Sequence, residues 1–366
     1  MGLSRKRALS NALKHQEYHF SIPFNFNGFF EEKELIEEIF KKMVEIAGEK
    51  EFSKFRVAVS WPKKPKLDEV TKDHLKYAIQ RVLNIELSEK LGKTIDFYNP
   101  DAIFLIDFNN NELFMRLEPV YVVGRYCKFS RKIAQTEYFC NKCRGKGCWY
   151  CKDTGHFSEE SVEELLEKII VPHFGAKAMI LHGAGREDLD VLMLGKGRPF
   201  IAQIISPQKR LVNLREIEEK INEELKEKIS VNSLQYSNEK EVAPLKNNPH
   251  DKIYLAKVAY YGEIDLIKIP IGKELVVKQG TPQRVEKRRA ILEREKKVTI
   301  IGADLIQCKN NCESERKFFN LTVQTSHGTY VKEFISSDNG RTKPSISSIL
   351  GVQCFCEQLD VLEIID

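Results

Sequence analysis

Four cysteines within twelve residues, Cys140-x2-Cys143 followed by Cys148-x2-Cys151, constrain this chain more than any other feature. Two such pairs offer four thiolates, the number and type of ligand that tetrahedral zinc takes. Glycines at 145, 147 and 155 allow the tight turns that would bring both pairs onto one ion. No coordination position is left for water, so the expected role is structural. The chain has nine cysteines, an odd number, and their clustering argues for a metal site in a reducing compartment over a disulfide framework. The other five, at 127, 308, 312, 354 and 356, read as small core residues.

A length of 366 residues points to about two domains, each able to bury its own core. Hydrophobic residues make up 42%, and the charges divide into 58 basic and 53 acidic, which argues against global disorder. The net charge of +5 suits a nucleic-acid partner only if the basic residues cluster. No run of 18 apolar residues occurs, and Met1 to Arg7 lacks the apolar stretch of a signal peptide. No membrane association is expected, and the reading is a cytoplasmic protein.

Apolar side chains recur at helical spacing over 30–48, where Gly48 closes an amphipathic helix. Phe55 to Trp61 and Asp101 to Phe108 read as strands, and the Asn109-Asn110-Asn111 turn leads to another that runs through Val123. These elements make an α/β accessory unit ending near residue 120. Beyond the cysteines, Ser161 to Ile170 predicts a helix and Ala176 to His182 a strand. Leu192 to Leu194 and Phe200 to Ile205 read as a β-hairpin around a Gly195-Lys196-Gly197-Arg198 turn. A charged helix is expected over Leu211 to Ser230. Strands at Ile253 to Tyr260, Val298 to Gln307, Phe318 to Thr325 and Leu359 to Ile365 complete a mixed, mainly antiparallel sheet.

Gly185-Arg186-Glu187-Asp188 follows a predicted strand and combines glycine, a cation and acids, with Asp190 two residues on. Loops at strand ends often carry chemistry. An arginine within about 4–6 Å of a carboxylate holds it ionised, which suits a nucleophile or base. A solvated charged turn fits the same residues, and the pattern does not choose between Asp188 and Asp190. The basic residues Lys196, Arg198, Lys209, Arg210, Arg284 and Lys287-Arg288-Arg289 lie on or near predicted loops, where they could meet phosphates.

The run from His182 through Gly185-Arg-Glu-Asp188 to Gly195-Lys-Gly-Arg-Pro-Phe200 closely resembles the archaeal tRNA pseudouridine synthases that modify uridines 54 and 55, the Pus-ten type. So do Gly124-Arg-Tyr-Cys-Lys-Phe-Ser-Arg131, Gln135-Thr136 and the cysteine cluster. Gly280-Thr-Pro-Gln-Arg-Val-Glu-Lys-Arg-Arg289, Gly328-Thr-Tyr-Val-Lys-Glu-Phe334 and Asp338-Asn-Gly-Arg-Thr-Lys-Pro344 extend the resemblance over 120–366. It implies an α+β fold: a pseudouridine-synthase catalytic domain over 121–366 with a zinc knuckle at 138–155, and a THUMP-like RNA-binding domain over 1–120.

The same resemblance implies roles. Alignment with the Gly-Arg-Thr-Asp of related enzymes selects Asp188 as catalytic, with Asp190 a structural neighbour. Tyr254 would pack on the target uracil, Lys332 would be the ion-pair partner of Asp188, and Leu359 would line the pocket. Arg186, Lys196, Arg198, Arg284, Arg288 and Arg289 would bind the substrate, the T arm of tRNA. Zinc on Cys140, Cys143, Cys148 and Cys151 would be structural; no organic cofactor and no obligate protein partner are expected. Family members typically carry further cysteine pairs near the N-terminus, whereas no cysteine here precedes Cys127. A non-catalytic, zinc-containing tRNA-binding or tRNA-folding protein is the alternative. Cys-x2-Cys-x-Gly-x-Gly also resembles the repeats of DnaJ-type chaperones, but those carry four repeats and a His-Pro-Asp motif missing here.

Overall fold

The structure is a computed structural model and describes residues 18–21, 33–60, 69–158, 160–286, 290–306 and 316–365. The first elements are β1 (Tyr18–Ser21), α1 (Lys33–Ala47), β2 (Lys54–Ser60), α2 (Glu69–Leu91), β3 (Thr94–Ile95), β4 (Ala102–Asp107) and β5 (Glu112–Leu117). Their strands form one five-stranded sheet in the order β1-β5-β4-β2-β3, with β2 parallel to β4 and β5 antiparallel to it. The apolar stripe of α1 supplies Ile39, Met43 and Ile46 to a core shared with Phe55, Leu83, Phe104 and Met115. Phe52, Phe55 and Phe104 pack there edge to face, with centroids 6.0–6.3 Å apart. The expected strands and α1 are present; α2 and β1 had no counterpart in the sequence reading.

From residue 120 the chain builds a second core. It contains β6 (Val120–Lys128), β7 (Ile133–Ala134), β8 (Glu160–Ser161), α3 (Val162–Phe174), β9 (Ala178–Gly183), β10 (Val191–Ile205), α4 (Leu214–Glu224) and β11 (Ile229–Ser237). Then follow α5 (Val242–Asn247), β12 (Asp251–Tyr261), β13 (Glu274–Gln279), β14 (Arg294–Leu305), β15 (Arg316–Thr325), α6 (Val331–Ser336), β16 (Thr342–Lys343), α7 (Ile346–Leu350) and β17 (Cys354–Ile365). Ten strands join in one sheet, ordered β11-β6-β10-β17-β12-β15-β14-β13-β16, with β9 also paired to β10. Pairing is antiparallel except where Val191–Met193 of β10 runs parallel to Leu359–Val361 of β17. That parallel contact sits in the interior of the sheet. It brings the start of β10, just past Asp188, beside Leu359.

Two expectations need correction. Residues 192–205 are one bent strand, not a hairpin, and the Gly195-to-Arg198 stretch is a bulge where the register against β6 slips between Met193 and Arg198. Both glycines have positive φ, and a Cβ would lie 2.0 Å from the Leu362 carbonyl oxygen at Gly195 and 2.7 Å from that of Tyr126 at Gly197. They permit close strand approach rather than chain reversal. The charged helix expected to Ser230 ends at Glu224, because Ile229 and Val231 alternate into the core as β11 and pair with β6.

The two sheets meet near their junction. Arg210 reaches Asp101 at 3.3 Å and donates to the Glu118 carbonyl at 2.7 Å, and the Glu51 amide donates to Gln208.

Candidate active site

The loop from Ala184 to Asp190 leaves the end of β9 and is held by its backbone. The Arg198 guanidinium donates to the Ala184 carbonyl at 2.6 Å, and Gln135 Nε2 to that of Gly185 at 3.0 Å. Lys128 Nζ donates to Leu189 O at 2.9 Å, Ile133 O at 2.7 Å and Asp188 O at 3.4 Å. Arg131 donates to Asp190 O at 2.7 Å and to Leu359 O at 3.2 Å, and pairs with Asp360. Thus the Gly124-to-Arg131 motif, which spans the end of β6 and the turn after it, grips the loop together with Gln135, a task the sequence did not assign them. Lys128 is fully buried, and burial brings its ammonium down to about 8.

Under the loop lies a buried ionic cluster. Glu187 accepts from Arg198 Nε at 2.8 Å and from the Tyr126 hydroxyl at 2.9 and 3.1 Å, and Gln135 donates to the same hydroxyl at 2.8 Å. The Arg198 and Glu187 side chains are each 1% exposed. Arg198 was expected as a phosphate contact on an exposed turn. It is instead a core ion-pair partner, because the bulge aims it inward beneath the loop. Burial, then the Glu187 charge, raise the Tyr126 hydroxyl well above its ordinary value, so it stays a donor.

Glu187 turns inward and Asp188 turns out. Its carboxylate lies 3.5 Å from Lys332 Nζ and 3.5 Å from Arg284. Lys332, in the first turn of α6, comes closer to Asp190, at 2.8 Å. Asp190 feels burial, which raises its carboxyl, but the Lys332 hydrogen bond and charge outweigh it and leave it below the usual value. Arg284 is in turn held by Glu333 at 2.6 Å. The cation beside Asp188 is therefore not Arg186, whose guanidinium lies 5.8 Å over the Tyr138 ring and makes no ion pair among the described residues. Closeness in sequence does not give contact here: Arg186 lies over the Tyr138 ring, while Asp188 faces Lys332 and Arg284.

A cleft of about 360 Å³ opens at Asp188. Tyr254 of β12, Leu359 and Val361 of β17 and Val191 form its apolar side; Arg284, Lys332, Lys252 and Arg186 supply cations. Burial pushes the Tyr254 hydroxyl up to about 12 and Lys252 down to about 8. Of the expected residues, Asp188, Tyr254, Lys332, Leu359, Arg186, Arg284 and Arg198 all line this cleft. Lys196 does not: it is exposed and pairs with Glu363 at 3.1 Å. Arg288 and Arg289 lie outside the described residues, as do Cys308 and Cys312. Lys252 and Tyr330 were missed; the run Lys252-Ile-Tyr254 contains the signal for the first, two positions before Tyr254 on the same strand face.

The four cysteines sit apart from the cleft. Their sulfurs all lie within 4.8 Å of one another, with contacts of 3.7–3.8 Å. Cys151 Sγ also accepts from the Cys148 amide at 3.3 Å and the Gly155 amide at 3.2 Å. Four convergent sulfurs with amide donors can hold one metal ion.

A model of the family described as "Pus10, C-terminal" matches residues 121–365, which include the cleft, the gripped loop and the cysteine cluster. The chain belongs to the Pus10 family. It is 38% identical to the tRNA pseudouridine synthase Pus10 of Korarchaeum cryptofilum over 79% of this chain and 77% of that protein. The match to the Pus10 of Archaeoglobus fulgidus, 35% identical, covers 92% of this chain and 93% of that one. It therefore extends into the first sheet, beyond the Pus10 C-terminal model. A solved Cbf5-Nop10-Gar1 complex aligns with a TM-score of 0.28 at 14% identity over 55% of this chain and 44% of that one. No helix among the described residues is long and apolar enough to cross a membrane.

Proposed function

We propose that this chain isomerises uridine to pseudouridine in the T arm of tRNA, at position 54, 55 or both, with Asp188 as the catalytic group and no organic cofactor. One observation carries the reading. Asp188, Tyr254, Lys332 and Leu359, far apart in sequence, line a single cleft in a chain of the Pus10 family.

The reaction breaks the bond from ribose C1′ to uracil N1, turns the base, and joins C1′ to C5. The C5 hydrogen leaves as a proton and N1 gains one, so atoms balance without a co-reactant. A paired base must first leave its stack, at a cost of a few kcal/mol. The cleft offers the flat Tyr254 ring and the Leu359 and Val361 side chains to receive it. Tyr254 stays protonated at neutral pH, consistent with packing and hydrogen-bond donation rather than base catalysis. The Asp188 carboxylate, positioned by Lys332 and Arg284, either attacks C1′ or removes a ribose proton to expel uracil. Arg186 and Arg284 at the rim suit phosphates of the flipped nucleotide.

The cysteine cluster we assign to structural zinc. A tetrahedral ion about 2.3 Å from each sulfur sets sulfurs about 3.8 Å apart, the spacing seen between neighbouring sulfurs. Residues 1–120, with their own sheet and core, would serve as the THUMP-like accessory domain, and 121–366 as the catalytic domain of a cytoplasmic enzyme. The test is tritium release from tRNA labelled at uridine C5, with mapping of the modified position. Wild type should release tritium and Asp188→Asn should bind tRNA without releasing it. Wild type that binds tRNA yet releases none overturns the reading in favour of a non-catalytic tRNA-binding protein.

A further inference from the structure

We propose that the cysteine knuckle carries a stacking platform for an unpaired tRNA base, built from Trp149 and Tyr150 and continuous with the rim of the catalytic cleft. The inference rests on tRNA being the substrate, and adds a role to a segment otherwise expected only to be held together by metal.

Trp149 and Tyr150 lie between the second pair of cysteines, on a short turn that ends at Cys151. Trp149 is 78% exposed and Tyr150 46% exposed. Single apolar residues on a surface need no explanation, but two adjacent large aromatics held in one geometry do. They meet edge to face with centroids 5.7 Å apart. Lys142 Nζ sits 4.3 Å from the Trp149 ring centre and 4.2 Å from that of Tyr150, fixing both rings at one site. With Trp149 so exposed, Lys142 screens no more than one face of the indole.

The platform also leads somewhere. Tyr150 packs on Phe157 at 5.6 Å, Phe157 on Tyr138 at 5.4 Å, and Tyr138 lies 5.8 Å under Arg186, which lines the catalytic cleft. A ladder of rings thus joins the exposed indole to the site where the target nucleotide would sit. A tRNA strand that leaves the cleft past Arg186 would meet this surface.

Charge selects the occupant. From Tyr138 to Phe157 the chain carries Lys142, Arg144, Lys146 and Lys152 against one acid, Asp153. Cations around open ring faces match an unpaired nucleotide, which offers a π-face and flanking phosphates together. Stacking of this kind tolerates any base, so the platform would add affinity and orientation and leave sequence choice to the cleft.

The chain has two tryptophans, so Trp61→Phe leaves Trp149 as the sole reporter. That protein is titrated with tRNA, with single-stranded oligouridine and with inorganic polyphosphate, a charge-only control. Expected are quenching of Trp149 by both RNAs and none by polyphosphate. Trp149→Ala should weaken tRNA binding roughly 5- to 140-fold, the range of one lost base–aromatic stack, while Trp149→Phe recovers most of it. Metal content of each variant, measured alongside, reports whether the knuckle is intact. Turnover of tRNA by wild type together with an unquenched Trp149, or an intact Trp149→Ala protein with wild-type tRNA affinity, overturns the inference alone and leaves a protein-facing surface. Wild type that neither binds nor modifies tRNA overturns the tRNA reading itself, and this inference with it.

Discussion

Replacing Glu187 by Gln isolates the buried ion pair beneath the loop from Ala184 to Asp190. In the native protein the carboxylate faces Arg198 Nε at 2.8 Å and accepts twice from Tyr126, and both charged side chains are 1% exposed. The amide keeps the shape but removes the charge, leaving a guanidinium in the core with only the Ala184 carbonyl and an uncharged amide oxygen to face. Breaking one partner of such a pair costs about 3–5 kcal/mol. For a unit the size of the second core, that lowers Tm by roughly 6–20 °C. Removing both charges relieves the orphaned cation, so Glu187→Gln combined with Arg198→Met should be less destabilised than Glu187→Gln alone. Urea unfolding followed by circular dichroism gives both quantities, and the four proteins form a double-mutant cycle. A Glu187→Gln loss under about 1 kcal/mol, or strictly additive effects, would refute the claim that this pair is a mutually dependent buried unit.

Other outcomes follow from the same geometry. Lys128→Met frees the carbonyls of Asp188 and Leu189, and because an error of about 1 Å in a catalytic group costs about 10²-fold, kcat should fall by that order with little change in tRNA Kd; unchanged kcat would show that Lys128 does not position the loop. Asp190 has its folded pKa held below the unfolded value, so its pairing with Lys332 contributes stability above pH 3.8 that is lost as pH falls through the lower, folded value. The stability difference between wild type and Lys332→Met should therefore shrink on acidification below that point, and a pH-independent difference would contradict the pairing. Modification of the thiols should release about one zinc per chain, with loss of near-ultraviolet signal from the Trp149 region; a metal-free, fully folded preparation would refute the zinc assignment.

The sequence marked the residues of the cleft at Asp188 better than the elements that build it. Asp188, Tyr254, Lys332 and Leu359 were legible as family motifs, and the cleft contains all four. The strands were legible because alternating apolar residues must bury one face whatever their partners. The bulge at Gly195 to Gly197 was misread because a Gly-x-Gly stretch allows chain reversal or close approach equally well; the neighbouring carbonyls of Leu362 and Tyr126 decide it. Helix α2 escaped notice because its apolar positions make a weak stripe, and it is held by contacts with β2 and α1 that local periodicity does not reveal.

What the sequence determined by itself was composition of the site: which residue types, in which ordered motifs, and four thiolates close enough to converge. What only the tertiary structure decided was which charge meets which. Arg186, next but one to Asp188, stacks on Tyr138, while Arg284 and Lys332, about a hundred or more positions away, supply its cations. Arg198 and Glu187 withdraw into the core, and Lys128, unmarked as a functional residue, grips the loop. The reason is physical. Short-range pattern follows from backbone geometry, whereas charge partners at a few ångströms are set by how a ten-stranded sheet brings distant strands and the loops between them side by side.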